Sequence, residues 1–113
     1  MRRMRVFPLM VVLALMTGAV QAEDLPLFKL EMKDGVVSPQ RLEVPAGKPF
    51  KLEVKNVGKT AAEFECKPLK KEKVLVPGAS LVMEVSSLSR GEYKFVDEFR
   101  EHLPTGKGVI IAK

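Results

Sequence analysis

FKLEVK, residues 50–55, decides the fold. Phe50, Leu52 and Val54 are apolar, and Lys51, Glu53 and Lys55 between them are charged. A period of two sends one set to one face of an extended chain and the other set to the opposite face, as a half-buried strand requires. The pattern recurs outward in both directions. Phe28, Leu30 and Met32 alternate with Lys29, Glu31 and Lys33, and Leu42 and Val44 with Arg41 and Glu43. Downstream, Leu81, Met83 and Val85 share a face, Tyr93 and Phe95 share another, and Val109, Ile110 and Ile111 make a buried final strand. Turn chemistry separates these runs: Asp34-Gly35, Pro45-Ala46-Gly47, Asn56-Val57-Gly58, Pro77-Gly78, Arg90-Gly91 and Thr105-Gly106-Lys107-Gly108. Seven or eight strands at spacings of about 8–12 residues predict an all-β sandwich or Greek-key barrel. Helical signal is confined to one short turn over Asp97–His102. Leu88, Gly91 and Tyr93 have the spacing of a tyrosine corner, which would tie the phenol back to the backbone at a Greek-key crossing.

Residues 1–22, MRRMRVFPLMVVLALMTGAVQA, stand outside this pattern. Arg2, Arg3 and Arg5 precede an apolar run from Val6 to Met16, and Val20-Gln21-Ala22 offers small residues for cleavage. That is the composition of a secretory signal peptide. The apolar run is shorter than the roughly 20 residues of a spanning helix. The expected mature domain is therefore residues 23–113, in the periplasm, touching a membrane only through a partner. Of the 19 basic side chains in the chain, three belong to the leader, which leaves 16 against 14 acidic ones, a net charge of +2. So small an excess argues against a nucleic-acid surface. The single cysteine, Cys66, excludes an internal disulfide. It reads as a small buried hydrophobe, with a metal ligand or intermolecular pairing as the alternatives.

The chemistry is narrow. One histidine, His102, cannot build a catalytic triad without a nucleophile in a strained elbow, and no such motif occurs. No Gly-rich loop joins a strand to a helix, and zinc-finger spacing is absent. Two acidic clusters remain. In Glu63-Phe64-Glu65-Cys66 the alternation puts Phe64 and Cys66 on the core side and both glutamates outside. In Asp97-Glu98-Phe99-Arg100-Glu101-His102 a helical turn would pair Glu98 with His102, and Asp97 with Glu101. Taken alone, each cluster reads as a solvated charged surface. So does the lysine-rich stretch KPLKKEK, residues 67–73, whose other reading is a docking face for an acidic partner.

Four segments together resemble a known family. PQRLEVPAGKPF (39–50), AEFE (62–65), KEKVLVPG (71–78) and YKFVDEFREH (93–102) span most of the mature chain and are similar to the cupredoxins. Tyr93-Lys94-Phe95-Val96-Asp97 matches the strand that ends in the copper cysteine, so the resemblance puts Asp97 at that place, His102 in the ligand loop, Thr105 near the usual methionine and Glu63 near the early histidine. The blue-copper set of one thiolate and two imidazoles is missing. The match is closer to the EfeO-type cupredoxin-like domains of bacterial iron-uptake systems. That resemblance implies a Greek-key sandwich that binds iron or copper through Glu63, Glu65, Asp97, Glu98 and His102; Cys66, which departs from that family's pattern, and Glu101 are additional candidate donors. It implies service to an iron-uptake permease or another periplasmic iron-transport protein, by delivering iron or by assisting Fe(II) oxidation, with an accessory role favoured over an enzyme's. An electron carrier and a metal-free interaction module are the alternatives. Carboxylates suit Fe(III) and tolerate Fe(II), and an imidazole adds affinity for Cu(II).

Overall fold

The computed structural model describes residues 24–113, so the leader expected over residues 1–22 lies outside the described residues. Nine strands form: β1 (Leu27–Lys33), β2 (Val36–Ser38), β3 (Arg41–Val44), β4 (Phe50–Asn56), β5 (Ala62–Cys66), β6 (Lys71–Leu75), β7 (Ser80–Val85), β8 (Gly91–Asp97) and β9 (Lys107–Ala112). They make a four-stranded sheet in the order β2-β1-β4-β7 and a five-stranded sheet in the order β3-β9-β8-β5-β6. The all-β sandwich is as the alternation predicts. The strand count is higher because β2 has only three residues and because the chain continues from the lysine-rich stretch straight into β6.

Two pairings are parallel, β1 with β4 and β3 with β9; the others are antiparallel. The core is what period two dictates. Leu30 and Met32 from β1, Phe50, Leu52 and Val54 from β4, Phe64 and Cys66 from β5, Phe95 from β8 and Ile110 from β9 are all buried. Phe64 and Phe95 meet with ring centroids 5.8 Å apart. Outside the four-stranded sheet the charges alternate across strands, Lys29 beside Glu53 and Glu31 beside Lys55. Opposite charges in register support such a solvated face.

Asp34 and Gly35, both at positive φ (46° and 94°), turn β1 into β2. Two such residues in succession match the right-handed twist of a tight hairpin. The tyrosine corner is present: Tyr93 Oη donates to the Ser89 carbonyl at 2.8 Å. The lysine-rich stretch is not an open loop. Lys67–Leu69 makes a 3-10 turn, Lys70 takes a left-handed conformation at φ 57°, and β6 starts at Lys71. That reversal lays β6 antiparallel on β5.

Candidate functional site

The register of β5 and β6 builds the site. Glu65 lies opposite Glu72, and Glu63 lies opposite Val74. Glu63 and Glu72 are therefore diagonal neighbours on the outer face, within reach of long side chains. From the end of β8, the 3-10 turn Glu98–Arg100 packs against β5 and brings Glu98 to the same place. One ligand oxygen from each of Glu63, Glu72 and Glu98 lies within 4.8 Å of the others. Among the described residues the ion pairs are Arg41–Glu43 and Lys113–Glu43, so none of these three carboxylates is neutralised by a lysine or arginine.

Crowding shows in their acidities. A hydrogen bond to Glu72, burial and the charge of Glu98 push the Glu63 carboxyl up to about 7. Burial raises Glu98 as well, with the charge of Glu65 and contacts to Glu72 adding to it. Glu63 therefore holds its proton to a higher pH than an ordinary carboxyl does. The linkage follows in sign. The folded chain keeps this proton between the usual carboxylate range and about pH 7, where the unfolded chain has lost it. Stability of cation-stripped protein will therefore fall as pH rises from about 5 to 8, and Glu63→Gln will flatten that slope. Urea denaturation at several pH values measures both, and a slope equally steep in the variant would contradict a proton held on Glu63.

Asp97 is elsewhere. It continues the inward face of β8 from Phe95, lies opposite Phe64 and is 1% exposed. The Glu63 and Phe99 backbone N–H groups donate to its Oδ1 at 3.0 and 3.1 Å. Asp97 thus caps the Glu98–Arg100 turn and fastens that turn to the start of β5. Of the residues implied by the resemblance, the structure brings Glu63 and Glu98 together. It sets Glu65 beside them, where its charge acts on Glu98. It does not bring Asp97 or His102 into the group. His102 is exposed, and the expected pairing of Glu98 with His102 along a helix face does not form. A 3-10 turn of three residues ends there, closed by Leu103 N–H donating to the Arg100 carbonyl, and Pro104 follows. Glu101 is exposed and borders a depression shared with Glu65, Lys67 and Lys94. Glu72 escaped the sequence reading because it sits among lysines. Its signal was the alternation Glu72, Val74 against Lys73, Leu75 on a strand returning beside Glu63 and Glu65.

A blue-copper ion does not fit these residues. Cys66 is wholly buried among core side chains, and burial pushes its thiol up, away from the thiolate such an ion needs. The one imidazole, His102, is exposed and outside the carboxylate group. An ion preferring oxygen donors does fit Glu63, Glu72 and Glu98.

A family model described as a cupredoxin-like domain matches residues 6–112. An uncharacterized protein of Rickettsia prowazekii (strain Madrid E) is 32% identical over 83 residues, which are 74% of this chain and 65% of that protein. The chain thus spans about two thirds of the curated relative it matches. Among solved structures, reduced auracyanin from Roseiflexus castenholzii aligns with a TM-score of 0.63 at 16% identity, covering 77% of this chain and 96% of that one. The metal-binding domain of the Cu(I)-exporting ATPase CopA of Streptococcus pneumoniae D39, with Cu(I), aligns at 0.61 and 12%, covering 77% and 84%. A purple cupredoxin from Nitrosopumilus maritimus aligns at 0.55 and 17%, covering 75% and 98%. Identities this low speak to the fold.

Proposed function

This chain belongs to the family of cupredoxin-like domains, and from that premise we propose that it is an exported metal-binding accessory of iron uptake. The carrying observation is the group of Glu63, Glu72 and Glu98, three carboxylates with no basic partner among the described residues, on the outer face beside the end of β8. The CopA metal-binding domain, a structural neighbour, holds Cu(I). The oxygen donors of this chain favour a harder ion, so iron is the cargo and Cu(II) a second ion the site accepts. A bound cation supplies the positive charge that these carboxylates lack and displaces the proton on Glu63. Glu65 adds negative charge at the margin. The leader would carry the chain to the periplasm, and the loaded domain would hand iron to a permease or another iron-transport protein.

Calorimetric titration of cation-stripped protein with Fe(II) under anaerobic conditions, and separately with Cu(II), tests this. Glu98→Gln and Glu72→Gln will each weaken binding by about tenfold, which is about 1.4 kcal/mol. Glu84→Gln, on the other sheet, will bind as wild type. Copper-loaded protein will show no intense blue colour, because no thiolate is available to the ion. Unchanged affinity in both cluster variants would sink the assignment. Absence of any cation uptake by wild type would leave the metal-free interaction module. His102→Ala separates a site of carboxylates alone from one that also recruits the imidazole.

A further inference from the structure

Arg100 is half-buried and has no carboxylate partner among the described residues, yet its guanidinium is fully directed. One terminal nitrogen donates to the Ala61 carbonyl at 3.2 Å and the other to Thr60 Oγ1 at 3.0 Å. Thr60 Oγ1 in turn donates to Asp34 Oδ1 at 2.8 Å, and the Lys59 and Thr60 backbone N–H groups donate to the same oxygen at 2.9 and 3.0 Å. The side-chain stem lies over Gly35, where a Cβ would come within 2.9 Å of Arg100 Cδ. The Arg100 carbonyl lies under Gly106, where a Cβ would come within 2.5 Å of it. Thr105 Oγ1 closes the same junction by donating to the Gly35 carbonyl at 2.8 Å.

These contacts join the turn after β8 to the segment that enters β5. Arg100 follows Glu98 by two residues, and Ala61 precedes Glu63 by two. We propose that Arg100 is the positioning residue of the carboxylate group. Its fork fixes the turn bearing Glu98 against the segment that leads into Glu63, and Asp34 holds Thr60 in place to receive it. The inference rests on the metal-binding reading given above. Asp97 fastens the same two segments from the interior through the Glu63 and Phe99 amides. Two fasteners, one buried and one half-buried, remove hinge freedom that either alone would leave. Arginine is suited because its planar fork reaches two acceptors at once, whereas a lysine is a single point charge.

The test uses the whole protein with Cu(II) and Fe(II) as probes and three readouts: affinity, melting temperature, and hydrogen exchange at the Phe99 and Glu63 amides. Arg100→Gln will weaken binding by about tenfold, and Thr60→Val, which removes one acceptor, by about threefold. Arg100→Lys will recover part of the loss. Both amides will exchange faster in Arg100→Gln. Met83→Ala, a core truncation in the other sheet, will lower the melting temperature further and leave affinity as in wild type. Should Arg100→Gln fail to fold, Thr60→Val carries the test. Wild-type affinity in Arg100→Gln or, in that case, Thr60→Val overturns the inference, and so does an affinity loss that Met83→Ala reproduces. If wild type takes up no cation, the metal-binding reading fails and the exchange rates decide alone: unchanged exchange at Phe99 overturns the positioning role.

Discussion

Asn56→Leu will destabilise the protein by about 4 kcal/mol, the sum expected when three buried or part-buried polar groups lose their partner. Asn56 is wholly buried at the end of β4. Its Nδ2 donates to the Thr60 and Leu75 carbonyls at 2.9 and 2.8 Å, and its Oδ1 accepts from Gly58 N–H at 2.9 Å. Leucine has the same branched skeleton but can meet none of these groups, and each orphan costs about 1–3 kcal/mol. The same amide ties the chain at Thr60 to the end of β6, so the variant loosens the platform on which Arg100 rests. Urea denaturation will show a lower midpoint with an unchanged slope, as expected for a stability change without a change in compactness. A loss below about 1 kcal/mol would mean that water reaches all three groups and that the amide is not structural.

Gly108→Ala will cost about 3 kcal/mol, at the upper end of what overpacking exacts. Gly108 pairs with Phe95 across β8 and β9, and the Phe95 ring lies over it. A Cβ there would stand 2.4 Å from Phe95 Cζ and 2.9 Å from both Cε atoms. Phe95 is 1% exposed and packed against Phe64, so the ring has nowhere to swing and the strand must shift. Asp97, two residues along, shifts with it. Thermal denaturation gives the stability, and a tenfold acceleration of exchange at the Glu63 amide would report the displaced Asp97. A melting temperature within about 2 °C of wild type would show that the core yields more readily than its packing implies.

Most of the fold was legible because period two needs no partner to be recognised. Phe50, Leu52 and Val54 announce their face wherever the strand ends up. β2 was not legible, since three residues cannot display a period. The site was half legible. Glu63 and Glu98 are visible as members of acidic clusters, but Glu72 becomes a neighbour only through the hairpin register, which turns on the left-handed Lys70. Asp97 illustrates the opposite case. Continuing the Tyr93, Phe95 alternation by two residues already turns it inward. Arg100 gives no signal at all in sequence, because its acceptors are a backbone carbonyl and a threonine some forty residues earlier.

The position of β9 has a consequence for the order in which this chain can fold. β9 lies between β3 and β8 and supplies the hydrogen bonds on both sides, pairing residues 107–112 with residues as early as Arg41. Until residues 107–112 pair, β3 has no neighbour in its sheet and the five-stranded sheet remains split. Contacts so distant along the chain are slow to form, because a long loop must close before any bond rewards it. The strand that bridges β3 and β8 therefore seals the five-stranded sheet, and the pairing of residues 107–112 with 41–44 sets the pace of that closure.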